Sequence, residues 1–252
     1  MDPVSISMIA FLLAVTGILM GWGLRRMLPA EQLGAESKDA IKLGLGVVMT
    51  LSALVLGLLV ASAKSGYDMR RSEINQITSG VILLDHLLSG YGDDAWTVRT
   101  ALREEVRLVA ARIWNEGQAF SSHPRPFKPL HQGELLYQRI LGLQPSSDAQ
   151  RELKRRIVQL THDLAEVRLS LFSQLSRSIP LPFLIVLLSW IAVMFTGFAV
   201  MTPAKITPLI FLVISACSVS GAIFLVLELD QPFAGLMMIP DEHLLSALQP
   251  LN

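Results

Sequence analysis

The chain has 252 residues, of which 52 % are hydrophobic and only 17 % are charged. Its 21 Lys and Arg residues balance 21 Asp and Glu residues, so the formal net charge at pH 7 is zero. Soluble domains carry about 25 % charged residues, so this composition excludes a purely soluble domain and a disordered chain. The single cysteine excludes an intramolecular disulfide. The lack of a dense Lys/Arg tract argues against nucleic acid as a partner.

Charged residues are missing from four long apolar stretches, at residues 3–24, 43–63, 178–204 and 206–227. A helix of about 20 apolar residues spans the hydrocarbon core of a bilayer, so each stretch is long enough to cross it. The alternating segments of about ten residues that build a transmembrane β-barrel do not occur. The sequence therefore predicts an all-α integral membrane protein with four transmembrane helices and a helical extramembrane region.

The four stretches divide the chain into four segments. Residues 1–64 hold transmembrane helices 1 and 2, residues 65–178 form the helical extramembrane region, residues 179–229 hold transmembrane helices 3 and 4, and residues 230–252 form a C-terminal tail with a short amphipathic helix at Asp241–Leu248. The first stretch lacks a positive n-region, so we interpret it as a retained membrane helix and not as a signal peptide.

The second helix is predicted to be unusually long. No proline lies between Pro29 and Pro124, so one helix can continue from near Ser37, through the membrane, to about Leu88.

The orientation in the membrane stays open. Four spans place both termini and the extramembrane region on one side. The short loops hold five positive residues (Arg25, Arg26, Lys38, Lys42 and Lys205) while the tails hold none, so the positive-inside rule places these loops in the cytoplasm. Further Lys and Arg residues flank the membrane on the other side and oppose this assignment: Lys64, Arg70, Arg71, Arg168 and Arg177.

No motif for enzymatic chemistry occurs. The five histidines form no HExxH pair, one cysteine cannot build a zinc cluster, and GxSxG, Walker-type and GxGxxG sequences are missing. We therefore expect no enzymatic activity, no cofactor and no metal site.

Small and weakly polar residues share one face of the second helix. They recur at spacings of three and four: Gly46, Thr50, Ala53, Gly57 and Ala61, followed by Lys64 and Asp68. We call these seven residues the small face. Such a stripe lets helices approach closely in lipid. It can also line a pore in an oligomer, with Lys64 and Asp68 as charged rings at the mouth.

A second candidate motif follows the last apolar stretch. Glu228 and Asp230 end this stretch, and Pro232 and Phe233 come next. Carboxylates at the edge of a membrane are costly unless they are paired or hydrated, which makes them functional candidates. The alternative is a simple helix terminator.

Three strings resemble the bacterial bestrophin-like membrane family, a domain of unknown function that is distantly similar to bestrophin ion channels. They are ESKDAIKLGLG at Glu36–Gly46, SALVLGLLVASAKSGYD at Ser52–Asp68 and SVSGAIFLVLELDQPFAG at Ser218–Gly235. The resemblance implies a homopentameric channel for inorganic ions in the bacterial inner membrane, with the second membrane helix lining a central pore. It also implies that both termini and the extramembrane region are cytoplasmic, contrary to the charge count.

The chain departs from the bestrophin pattern in three ways. Ala234 separates Phe233 from Gly235, where bestrophins have a Pro-Phe-Gly sequence. The small face stands where bestrophins narrow their pore with bulky apolar residues. The acidic calcium-binding cluster of the animal members is missing, so calcium gating is not implied.

Together, the residues and the resemblance predict a homo-oligomeric ion channel, with a pentamer favoured. The alternative is a non-conducting, membrane-anchored scaffold or interaction protein in which the small face only packs against other helices. A transporter is disfavoured because the four spans do not repeat in halves. Ion selectivity is not predicted, because Lys64 favours anions and Asp68 favours cations.

Overall fold

A computed structural model describes residues 2–29, 34–120, 131–173, 179, 181–203, 205–233 and 235–240. Within these residues the regular elements are helices: α1 (Pro3–Met27), α2 (Ala35–Tyr91), α3 (Trp96–Phe120), α4 (His131–Leu141), α5 (Asp148–Ser173), α6 (Leu181–Met201) and α7 (Ile206–Leu229). The predicted all-α fold is confirmed. The amphipathic helix expected at Asp241–Leu248 lies outside the described residues.

The chain forms two compact units. The membrane unit comprises residues 1–66 and 178–230, and the extramembrane unit comprises residues 67–177 and 231–252, so α2 contributes to both. Four helices are long and apolar enough to cross a membrane, namely α1, α2, α6 and α7. These are the four spans that the sequence predicts.

Helix α1 packs closely against α6 because two of its glycines leave room. A Cβ atom added to Gly21 would overlap the backbone carbonyl oxygen of Thr196, and one added to Gly17 would lie 2.9 Å from the carbonyl oxygen of Ala192. The two glycines are four residues apart and form a GxxxG pair, the arrangement that brings membrane helices together. At the end of α1, the Arg25 guanidinium donates a hydrogen bond of 3.1 Å to the Val200 carbonyl oxygen.

Helix α2 runs without a break for 57 residues and ends at Tyr91, and Gly92 follows it. Gly92 has a φ of 111°, in the left-handed region where glycine avoids the steric cost of a side chain. A turn of 3₁₀ helix over Asp93–Ala95 then leads into α3. The predicted long second helix is confirmed.

The core of the extramembrane unit is formed by the second half of α2 with α3, α4 and α5. Fully buried side chains include Leu88 of α2, Ile140 of α4 and Ile157 of α5. One partly buried ion pair joins α2 to α3. The Arg99 guanidinium donates two hydrogen bonds to the Asp85 carboxylate, Nε to Oδ1 at 2.9 Å and Nη2 to Oδ2 at 2.7 Å.

Candidate functional site on the second membrane helix

The small face of α2 is open in the protomer. All seven of its residues are exposed: Gly46, Thr50, Ala53, Gly57, Ala61, Lys64 and Asp68. A Cβ atom added to Gly46 or Gly57 would meet nothing within 4 Å. The Thr50 hydroxyl donates a hydrogen bond of 2.9 Å to the Gly46 carbonyl oxygen in the preceding turn. This bond satisfies the hydroxyl within the helix, as membrane-buried threonines commonly do.

The opposite side of α2 attaches the helix to its own protomer. Leu45, Ser52, Leu59 and Ala63 are buried, and each is 7 % exposed or less. At about 100° per residue, the centre of this buried stripe lies about 140° around the helix from the centre of the small face. Contacts within the protomer therefore use the buried stripe, and the small face stays exposed, although Ala53 also lines a cavity with residues of α6 and α7.

Large apolar residues border the small face on both sides. Leu54 and Leu58 are 66 % and 58 % exposed on one side, and Met49 and Val60 are 45 % and 41 % exposed on the other. By helical geometry these two borders flank the glycines and alanines along the apolar part of α2. The helix thus presents a narrow small strip between two bulky apolar ones.

The charges at the end of the small face are close in sequence. Lys64 lies in the membrane unit and Asp68 in the extramembrane unit, one helical turn further along α2. Both side chains are exposed. Because the two charges have opposite sign, they give this end of the small face no net charge.

The motif after the last span divides into two parts. In the membrane unit, Glu228 is 3 % exposed in the final turn of α7, and the Asp230 N–H donates a 3.3 Å hydrogen bond to the Val226 carbonyl oxygen. Asp230 thus closes the helix. The burial of Glu228 is unusual for a carboxylate and keeps it a functional candidate.

In the extramembrane unit, the other two motif residues anchor the tail. The Pro232 carbonyl oxygen accepts a 2.8 Å hydrogen bond from the Ile239 N–H. Phe233 is 2 % exposed and meets the Trp114 ring edge-on, with ring centroids 5.8 Å apart. Ala234, which interrupts the bestrophin pattern, lies outside the described residues.

The ion pair that joins α2 to α3 shifts the pKa values of its two members, Asp85 and Arg99. The hydrogen bonds from Arg99 hold the pKa of Asp85 below its ordinary value, although partial burial acts in the opposite direction. No group of three His, Cys, Asp or Glu side chains suited to a metal ion occurs in the described part of the chain.

Sequence reasoning missed several contacts, including two between helices. One is the Gly17 and Gly21 contact of α1, for which the GxxxG spacing was a readable signal. The other is a partly buried ion pair between Glu105 of α3 and Arg168 of α5, whose side chains meet at 2.9 Å. Their separation of 63 residues gives no local pattern that would have revealed this pair.

Comparisons with known proteins agree with this architecture. The family model of the Bestrophin-like domain matches residues 10–244, which is more than half of the chain. A crystal structure of a point mutant of a bacterial bestrophin homologue from Klebsiella pneumoniae is similar with a TM-score of 0.64 and 16 % sequence identity. The alignment covers 98 % of this chain and 99 % of that one. None of the curated proteins matches the chain significantly.

The fold and the four apolar helices define an α-helical membrane protein with four candidate membrane spans. The chain belongs to the bestrophin-like family.

Proposed function

We propose that the protein is a homo-oligomeric ion channel, with five subunits favoured, in which the small face of α2 lines a central pore. It resides in the bacterial inner membrane as a multi-pass protein, and its partners are lipid, copies of itself and permeant inorganic ions. Catalysis is not part of this proposal.

The observation that carries the proposal is the direction of the small face. Gly46 and Gly57 point away from the helices of their own protomer, where an added Cβ atom would meet open space. Lipid contact gains little from glycine and alanine, because small residues expose little apolar surface. A water-filled axis uses the same residues, since their small side chains leave room for ions and water.

The apolar borders of the small face support a closed ring. In a cyclic oligomer each subunit contacts one neighbour with one surface and the other neighbour with a different surface. Leu54 and Leu58 on one side of the small face, and Met49 and Val60 on the other, are exposed apolar surfaces of this kind. When copies of α2 meet through these borders, the small faces turn toward the common axis.

The alternative is a membrane-anchored scaffold in which the small face binds another helix. The Gly17 and Gly21 contact shows how this chain builds a close helix crossing, with carbonyl oxygens at the position of a Cβ atom. Helix α1 thus supplies one close helix contact inside the protomer. What remains for the small face in the scaffold hypothesis is a separate partner helix.

Subunit number is the first test. Native mass spectrometry of the full-length protein released from detergent should give a single assembly of five chains. A monomer or a dimer would contradict the proposal, because neither can enclose a central axis with this face.

A tryptophan at Gly57 tests the pore itself. Gly57→Trp should reduce ion flux from KCl-loaded liposomes by about tenfold or more, because the indole fills the axis, while the native mass stays unchanged. The matched control is Gly221→Trp in α7, since Gly221 is also exposed and also has open space at its Cβ position. Undiminished flux through an assembled Gly57→Trp protein would refute the pore assignment, and loss of assembly in this variant alone would favour the scaffold.

A further inference from the structure

The extramembrane unit contains a cavity of about 200 Å³ that the channel proposal does not use. It lies among α2, α3, α4 and α5, and most of its wall is apolar. Val81, Leu84, Leu102, Val106, Leu136 and Leu164 belong to this wall. An engineered apolar cavity of about 150 Å³ accommodates benzene, so this cavity has room for an organic molecule of about six to ten non-hydrogen atoms.

A partly buried ion pair gives one side of the cavity a polar character. Glu105 is 8 % exposed, and its Oε1 accepts a 2.9 Å hydrogen bond from Nη1 of Arg168. The other carboxylate oxygen, Oε2, and the guanidinium Nε are both buried without a hydrogen-bond partner within the described residues. Buried donors and acceptors are nearly always satisfied in proteins. We therefore expect a bound molecule to supply the hydrogen bonds that this acceptor and this donor lack.

Two side chains at the exposed rim complete the site. The hydroxyl oxygen of Tyr137 lies 3.1 Å from Nε2 of His162, and the two rings meet edge to face with centroids 5.2 Å apart. Both residues line the same cavity. This contact joins α4 to α5, and His162 itself is exposed, so this is where a molecule can enter.

We propose that the cavity binds a small uncharged amphiphile, whose head group both donates and accepts a hydrogen bond, as in a primary amide. Both atoms are buried in the protein alone, so the two side chains turn toward the head group, which donates to Oε2 of Glu105 and accepts from Nε of Arg168. The apolar body lies against the aliphatic wall. The formal charges of Glu105 and Arg168 cancel, so a charged head group would be buried without a compensating charge. Ordered water is the competing occupant.

Three probes with the same six-carbon body test this site on the full-length protein in detergent. They are hexanamide, hexanoate and hexylammonium, and binding is measured as saturation transfer from protein to probe. Ala165→Phe fills the cavity from α5, so the probe cannot bind there. The signal that remains in this variant comes from probe dissolved in the detergent, and it serves as the blank. Ala149→Phe adds the same ring at an exposed position of α5 and should leave binding unchanged.

Neutralising Glu105 and Arg168, one at a time and then together, makes the test specific for the ion pair. In the unmodified protein, hexanamide should bind about tenfold more tightly than either charged probe. Glu105→Gln leaves Arg168 as the remaining charge and should shift the preference to hexanoate. Arg168→Gln should shift it to hexylammonium, and the neutral double variant should prefer hexanamide again.

Two results would overturn the proposal. One is an identical order of the three probes in every folded variant, because the Glu105 and Arg168 head-group site would then play no part. The other is the same signal in the unmodified protein and the Ala165→Phe blank, which would mean that water alone fills the cavity. If the Phe variant does not fold, Ala165→Leu provides a smaller filling residue for the same comparison.

Discussion

The indole Nε1 of Trp114 donates a 2.8 Å hydrogen bond to the carbonyl oxygen of Ile239, 125 residues further along the chain. The same indole meets Phe233 edge-on. Helix α3 therefore holds the segment that follows the last membrane span at two points. The Pro232 and Phe233 part of the motif thus has a structural role, as an anchor within the extramembrane unit.

Replacing the indole tests this anchor. Trp114→Phe removes the donor and keeps an aromatic ring, so the free energy of unfolding should fall by about 1–2 kcal/mol. The Ile239 amide, which donates to the Pro232 carbonyl oxygen, should exchange hydrogen faster because the segment is held less firmly. Hydrogen exchange followed by mass spectrometry measures this. Trp96→Phe is the matched control, since Trp96 is 66 % exposed, and equal exchange in both variants would disprove the anchor.

The helices of the fold could be predicted from the sequence because each helix depends on residues that are close together along the chain. Runs of uncharged residues set the four spans, and the proline-free stretch set the long α2, since both depend only on neighbours along the chain. The small face was also readable, as helical spacing alone places Gly46 and Gly57 together. Contacts between distant segments were not readable. Glu105 and Arg168, or Trp114 and Ile239, meet only once the helices have packed.

One signal was present in the sequence and overlooked. The Gly17 and Gly21 spacing in α1 is the same kind of small-residue pattern as the one on α2. Sequence alone cannot tell which of two such stripes packs against a partner helix and which stays open. In the structure Gly17 and Gly21 of α1 pack against backbone carbonyl oxygens of α6, whereas Gly46 and Gly57 of α2 have open space at the position of a Cβ atom.

The α1 crossing gives a matched pair of substitutions. In Gly21→Ala the new methyl group overlaps the Thr196 carbonyl oxygen, so α1 and α6 must separate, which should cost about 1–3 kcal/mol of stability. Gly23→Ala adds the same methyl group where nothing lies within 4 Å, and should be neutral or slightly stabilising. Thermal unfolding in detergent compares the two. Equal midpoints would show that α1 does not need the glycine.

The Asp85 and Arg99 pair should make stability depend on pH. The pKa of Asp85 is lowered in the folded protein, so the pair contributes stability above the unfolded aspartate pKa of about 3.9, and loses it as the pH falls through the folded value. Arg99→Lys gives up the two-point hydrogen bonding and should cost about 1–2 kcal/mol at pH 7. The difference between this variant and the unmodified protein should shrink below about pH 4.

Thermal unfolding between pH 3 and pH 7 measures this effect. The control is Arg151→Lys, because Arg151 and Asp148 form a pair whose side chains are 70 % and 93 % exposed and should contribute little at any pH. If Arg99→Lys lowers the stability by the same amount at pH 3 and at pH 7, the charge of Asp85 plays no part in the effect.

Water access to the small face is the most direct test of the channel proposal. Cys217 is the single cysteine and is exposed, so Cys217→Ser gives a background for adding one thiol at a time. In that background, Gly57→Cys should react with membrane-impermeant methanethiosulfonate reagents of either charge, and ion flux into liposomes should fall by about tenfold. Leu225→Cys, at an exposed position of α7, should stay unreactive in lipid. A Gly57→Cys protein that is neither labelled nor blocked would contradict a pore along α2.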